Sequence, residues 1–132
     1  MGGRGQRTVA PDEILTGHAP VVVALANAAR AQILAMIDGV IEEGRPAAKA
    51  ITFRRREAFA FIAPMADHVR LGFEHGHALP DLAGRLEGEG GQVRYVALRT
   101  MDELTSREVK MLISAALFDD DTHGFRSRAP RP

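Results

Sequence analysis

His68, His75 and His77 are three of the five histidines in this chain of 132 residues, and they sit among Asp67, Glu74, Asp81 and Glu87. Imidazoles beside carboxylates suit a bound cation, provided the ligands converge within about 2.0 to 2.6 Å of one ion. Spacing limits the set. In the extended stretch DHVRLGFEH, His68 and His75 have opposite parity and lie about 23 Å apart at roughly 3.3 Å per residue, so they cannot share an ion. His75 and His77 can cooperate if Gly76 turns the chain, with Glu74 or Asp81 adding oxygen. The competing reading is that His68 is a surface strand residue and that His75 and His77 close a hairpin.

A second candidate cation site is Asp38, Glu42 and Glu43. On a helix running to Gly44, Asp38 and Glu42 share a face at i, i+4, with Glu43 one residue round. Hard cations, weakly held iron among them, prefer such oxygens. Three acids at a helix C-terminus also oppose the helix dipole, which hints at a task beyond stability. A solvated helix end is the plainer alternative.

The third constellation is basic. Arg70 and Arg94 fall on alternating segments, and Arg54, Arg55 and Arg56 fall at a turn between two of them. Arg70 points away from the Val69, Leu71 and Phe73 face. Its guanidinium fork suits phosphate or carboxylate, and His75 and Tyr95, the single tyrosine, could line a pocket with Arg70 and Arg94. An ordinary charged sheet face is the alternative.

Nucleophilic catalysis has little support. There is no cysteine, which removes disulfides, thiolate nucleophiles and zinc ribbons together. Ser106 reads as helix-start chemistry, Ser114 is mid-helix, Ser127 lies near the end, and no G-x-S-x-G elbow occurs. The glycines at 84, 88, 90 and 91 lead into a strand and lack a following Lys-Ser/Thr, so they do not read as a nucleotide loop. The chain reads as a non-enzymatic domain.

These residues must be positioned by a single domain. Fifteen Arg and two Lys balance eight Asp and nine Glu, and the neutral total argues against a nucleic-acid partner. The longest apolar run, Ala19 to Ala29, is too short to span a bilayer, and no signal segment opens the chain, so a cytoplasmic protein is expected. Residues 1–17, rich in Gly and Arg, read as a flexible arm. Val22, Leu25, Ala29, Ile33, Met36, Ile37 and Val40 then recur at spacings of three and four, which predicts a long helix from Pro20 to a stop at Gly44-Arg45-Pro46.

Period two follows. KAITFR (49–54) puts Ile51 and Phe53 on one face. EAFAFIA (57–63) is apolar on both faces, as a central strand should be, and DHVRLGFEH alternates cleanly. Leu79 to Leu86 reads as a short helical turn and QVRYVALR (92–99) as a further strand. Thr100 with Glu103, and Thr105 with Glu108, match capping boxes. Val109, Leu112, Ile113, Ala116 and Leu117 form the stripe of a C-terminal helix to about Phe118, and the charged 119–132 segment, opening on three aspartates, reads as a disordered tail. The expected fold is a two-layer α+β domain spanning 18–118, with an antiparallel sheet of about four to five strands packed by a long N-terminal and a C-terminal helix.

The strand HVRLGF, the turn at Gly76, LPD at 79–81, LEG at 86–88 and the strand VRYVALR resemble the signature segment of the YdhG/YjbR/CyaY-like superfamily, in its domain-of-unknown-function branch. The upstream helix, KAI at 49–51 and the C-terminal helix fall in the matching order. The resemblance implies a compact domain with a curved antiparallel sheet. It also implies a frataxin-like link to iron, since a relative is described as an iron chaperone. The aromatic residue common before KAI is replaced here by Arg45-Pro46-Ala47-Ala48, and the chain has no Trp. The expected function is binding of a metal, with iron implied by the resemblance alone, or of a small anionic ligand, by a monomer or homodimer. A non-enzymatic scaffold that pairs subunits is the alternative.

Overall fold

The computed structural model describes residues 7–81 and 84–128. In chain order the elements are α1 (Pro11–Ile14), α2 (Pro20–Met36), β1 (Ile41–Arg45), β2 (Ala50–Arg54), β3 (Ala58–Pro64), β4 (Val69–Phe73), a 3-10 turn (Gly76–Ala78), β5 (Arg94–Leu98), α3 (Met101–Leu104) and α4 (Arg107–Arg128). The strands form one open antiparallel sheet in the order β1-β2-β3-β4-β5, so the domain is α+β. β3, apolar on both faces, is indeed the central strand.

Register explains the core. Ile51, Ile62, Leu71 and Val96 pair in one row across β2 to β5, and each is at most 1% exposed. They join Val22, Leu25 and Ile33 of α2 with Ile113 and Leu117 of α4 in a single apolar cluster. Burial of each such side chain contributes about 1.5 to 3 kcal/mol. The stripe from Val109 to Leu117 is buried throughout, as its spacing requires.

The observed elements depart from the expected ones in several places. The first helix stops at Met36, eight residues short of Gly44. Ile37 turns extended, and Gly39 takes a φ of +84°, which only glycine adopts readily. The apolar spacing runs on because Ile37 and Val40 still pack against the core, so it reports burial and not helix. Asp38 therefore lies in the connecting turn, while Glu42 and Glu43 lie on β1 and point to opposite faces. The three-carboxylate helix end does not exist.

The expected arm is docked from residue 7 onward. Val9 and Gly44 exchange backbone hydrogen bonds at 2.9 Å, and Leu15 enters the core at 5% exposure. One buried leucine beside a single helical turn leaves no periodic trace in the sequence. Residues 1–6 lie outside the described residues. At the other end α4 passes Phe118 and continues to Arg128, and Asp120 is only 5% exposed. Residues 129–132, and side chains from Asp121 on, lie outside the described set.

Local capping follows the sequence at one helix start and departs from it at the next. Thr100 and Glu103 form a full capping box on α3. For α4 the cap is Ser106, whose hydroxyl accepts from the Val109 amide at 3.3 Å, while the Thr105 hydroxyl donates back to the Met101 carbonyl. Of the segment expected as a helical turn at 79–86, residues 79–81 and 84–86 are not helical, and the Asp81 carboxylate accepts from the amides of Arg85 and Leu86; Leu82 and Ala83 lie outside the described residues.

Glu42 has a structural task. Its register with Phe53 places it on the core-side face at the sheet edge, where Arg30 of α2 meets it through Nε at 2.7 Å and Nη2 at 3.0 Å. The Arg30 guanidinium also donates to Asp12 and Asn27. The Glu42 hydrogen bond holds Arg30 above arginine's ordinary pKa. Both side chains of the pair are under a fifth exposed. Charge-assisted bonds of this kind contribute about 1.5 to 3 kcal/mol, so Glu42→Ala should cost about 2 kcal/mol in urea unfolding. A loss under 0.5 kcal/mol, roughly the scale of an exposed surface pair, contradicts the pairing.

Candidate functional site

The face of the sheet opposite the core is half-buried and carries the arginine and the tyrosine of interest. One cross-strand row runs Glu43–Thr52–Phe61–Gly72–Tyr95 over all five strands. The adjacent row carries Arg45 and Ala50 at one end and Ala63, Arg70 and Ala97 at the other. Gly72 has a physical reason to be glycine. A Cβ there would lie 2.0 Å from Cζ of Phe61, so the ring passes directly over the Gly72 backbone. Phe61 and Tyr95 thus stand on either side of a position with no side chain.

Arg70 is the diagonal neighbour of Tyr95, and such pairs are within reach of long side chains. Its guanidinium lies 4.4 Å from the centre of the Tyr95 ring, a cation–π contact. Its Nε is buried and has no hydrogen-bond acceptor among the described residues. A buried donor without an acceptor costs about 1 to 3 kcal/mol. Across the face, Glu43 takes Nη2 of Arg45 at 2.9 Å and Nη2 of Arg54 at 3.0 Å. The Arg45 hydrogen bond first, then that of Arg54, holds the Glu43 carboxyl below the usual range. That carboxylate is committed to two cations, and no carboxylate is paired with Arg70 among the described residues.

The other candidate residues are elsewhere. Arg94 shares register with Phe73, so its parity is opposite to that of Tyr95, and its Nη1 donates to the carbonyls of Gly90, Gly91 and Val93. It braces the glycine loop. His75 and His77, brought together by the 3-10 turn, line a separate cleft at the end of the sheet. Among the described residues no group of three or more His, Asp or Glu could hold a metal ion. His68 instead pairs with Asp67, Nδ1 to Oδ1 at 2.7 Å. Of the four residues grouped for an anion, the structure brings Arg70 and Tyr95 together and separates His75 and Arg94 from them.

Two residues of this face were missed in the sequence, Phe61 and Gly72. A glycine inside a clean strand pattern is the usable signal, because it marks a close approach. What covers it comes only from the β3–β4 register.

Glu74, directly after β4, carries a testable electrostatic signature. Burial pushes its carboxyl up, with His75 pulling weakly the other way. The folded state then keeps the proton to higher pH than the unfolded chain does, so stability falls as pH rises from the unfolded value to the raised one and is level above it. Glu74→Gln should melt with wild type below about pH 4, where free glutamate is largely protonated, and above wild type at neutral pH. Identical melting profiles at both ends would contradict the burial of this carboxyl.

The family described as a domain of unknown function, DUF5655, matches residues 11–117. The match begins at α1, so it includes Leu15 and the rest of the stretch from Pro11 to α2. No curated protein and no solved structure matches the chain. Among the described residues no helix is long and apolar enough to cross a membrane.

Proposed function

The chain belongs to the DUF5655 family, and from that premise we propose a small binding domain, without catalytic chemistry of its own, that holds a phosphate or carboxylate group on the outer face of its sheet. The observation that carries this reading is Arg70, stacked on Tyr95 with a buried Nε that lacks an acceptor. The stacked ring fixes the fork, so little side-chain freedom is lost when an anion arrives. Phe61 and Thr52 in the neighbouring row extend the surface to a ligand with a flat apolar part.

The wider resemblance to the YdhG/YjbR/CyaY-like superfamily supports a binding role for the fold. An iron site built on Asp38, Glu42 and Glu43 fits the geometry less well. Glu42 and Glu43 point to opposite faces and are each engaged by arginine. Pairing of subunits through the sheet edges is also disfavoured. Val9 bridges to Gly44 at the β1 edge, and Glu87 bridges to Tyr95 at the β5 edge.

Calorimetric titration with phenyl phosphate tests the reading. Wild type should bind, and Arg70→Gln should bind at least tenfold more weakly, the loss expected for one charge-assisted contact of about 1.5 to 3 kcal/mol. Arg70→Lys should recover little, because an ammonium neither stacks flat on Tyr95 nor forks. Equal affinity in all three proteins excludes Arg70 as the anion contact.

A further inference from the structure

A groove that shares no lining residue with the Arg70 face lies between Pro80, Asp81 and Arg85, in the loop after the 3-10 turn, and the first half of α4. Its volume is about 820 Å³, within the range of about 300 to 1,000 Å³ usual for ligand clefts. Met111, Leu112 and Ala115 give it an apolar wall on α4. Leu112 is buried beneath that wall, whereas Met111 is 44% exposed and offers its side chain to whatever enters. The lining positions of α4, from Arg107 to Ala115, cover about 12 Å of helix at roughly 1.5 Å per residue. That is the reach of a medium-length alkyl chain.

The charged groups around the groove are unbalanced. Three cations, Arg85, Arg107 and Lys110, line it against two acids, Asp81 and Glu108, which leaves a surplus of one positive charge. Asp81 is already committed, since its two oxygens accept the amides of Arg85 and Leu86. The same bonds fix the backbone from which Arg85 projects. The Arg85 side chain is only 25% exposed, yet Oε2 of Glu103, its ion-pair partner, stands 3.8 Å away, beyond hydrogen-bond reach. The other oxygen of Glu103 is held by the amides of Arg99 and Thr100. Among the described residues the Arg85 guanidinium makes no hydrogen bond. Arg107 and Lys110 are neighbours one turn apart on α4, and their like charges repel until an anion lies between them. A largely covered guanidinium short of acceptors, beside two more cations and an apolar wall, selects an anionic head on an apolar body. We infer that this groove binds a medium-chain organic carboxylate, a monoanion that matches the single surplus charge. The Arg85 fork takes the carboxylate, Arg107 and Lys110 add attraction at short range, and the chain lies along Met111, Leu112 and Ala115.

The test uses the full chain, titrated by NMR with octanoate, butyrate, octanol and octylamine. Octanoate should shift the amides of Arg85 and of α4 from Arg107 to Ala115. It should bind about tenfold more tightly than butyrate, which keeps the head and loses most of the chain. It should also bind about tenfold more tightly than octanol, which keeps the chain and loses the charge, with cationic octylamine weaker still. Arg85→Gln should bring octanoate down toward octanol. Met111→Glu, a like charge on the exposed wall, should weaken octanoate by about tenfold. Arg70→Gln should leave the octanoate shifts in α4 unchanged, which separates the groove from the outer sheet face. Octanoate binding no better than octanol, octylamine or butyrate overturns the inference, as do octanoate shifts confined to β4 and β5. Loss of the α4 shifts in Arg70→Gln overturns it too, and so does undiminished binding in both Arg85→Gln and Met111→Glu once circular dichroism shows them folded. Should either variant fail to fold, the ranking of the four probes on wild type decides alone.

Discussion

Asp120→Ala is expected to destabilise the domain by about 3 kcal/mol, although its position in an acidic run near the end of the chain looks dispensable. The side chain joins α4 to the turn between β2 and β3, accepting the amides of Arg56 and Glu57 more than sixty residues away in sequence. Each hydrogen bond to a charged acceptor is worth about 1.5 to 3 kcal/mol, and its removal leaves two backbone donors unsatisfied at a buried wall. Asp120→Asn should lose nearly as much, because the two amides address different carboxylate oxygens and asparagine replaces one of those acceptors with an NH2 donor. Urea unfolding with a fixed m-value reads both effects. A change below about 0.5 kcal/mol, ordinary for a surface site, would show that α4 ends functionally near Phe118.

Gly44→Ala should also cost about 3 kcal/mol, and for a different reason. A Cβ at Gly44 would lie 2.8 Å from the Val9 carbonyl oxygen and 2.9 Å from that of Ala10, both backbone atoms that cannot rotate away. The variant must give up the two Val9–Gly44 hydrogen bonds, and with them the seat of Leu15 in the core. Overpacking alone typically costs 1 to 3 kcal/mol, and exposing one leucine adds about 2. Amide exchange should then rise across residues 9–15 before it rises in the sheet. Unchanged protection there would mean that the segment is not held by β1.

Where the sequence was informative, a physical period was repeated often enough to read. Ile51 with Phe53, the two-sided β3 and the stripe from Val109 to Leu117 each report burial at a spacing only one element satisfies. The failures share a cause: single contacts made by residues far apart in sequence. Residues 37–44 keep the apolar spacing of a helix while entering a strand. Leu15 is buried by itself, without a periodic neighbour. Asp120 looks like a solubilising acid until its backbone partners are known.

The same division applies to the candidate site. Arg70 and Tyr95 could be placed on strands from alternation alone, and the β4–β5 register makes them diagonal neighbours. The Phe61 ring over Gly72, and the assignment of Arg94 and His75 to other duties, depend on register and on the 3-10 turn. Parity along one strand is legible in a sequence; pairing between strands is not.

The anion-binding account is tested most directly by mapping phenyl phosphate onto the 15N-labelled chain. It predicts that the largest amide shifts fall in β4 and β5 around Arg70, Gly72 and Tyr95, with the Arg70 Nε–H resonance moving in step. Shifts confined to α4 or to the 3-10 turn, with Arg70 Nε–H unmoved at saturation, would contradict it.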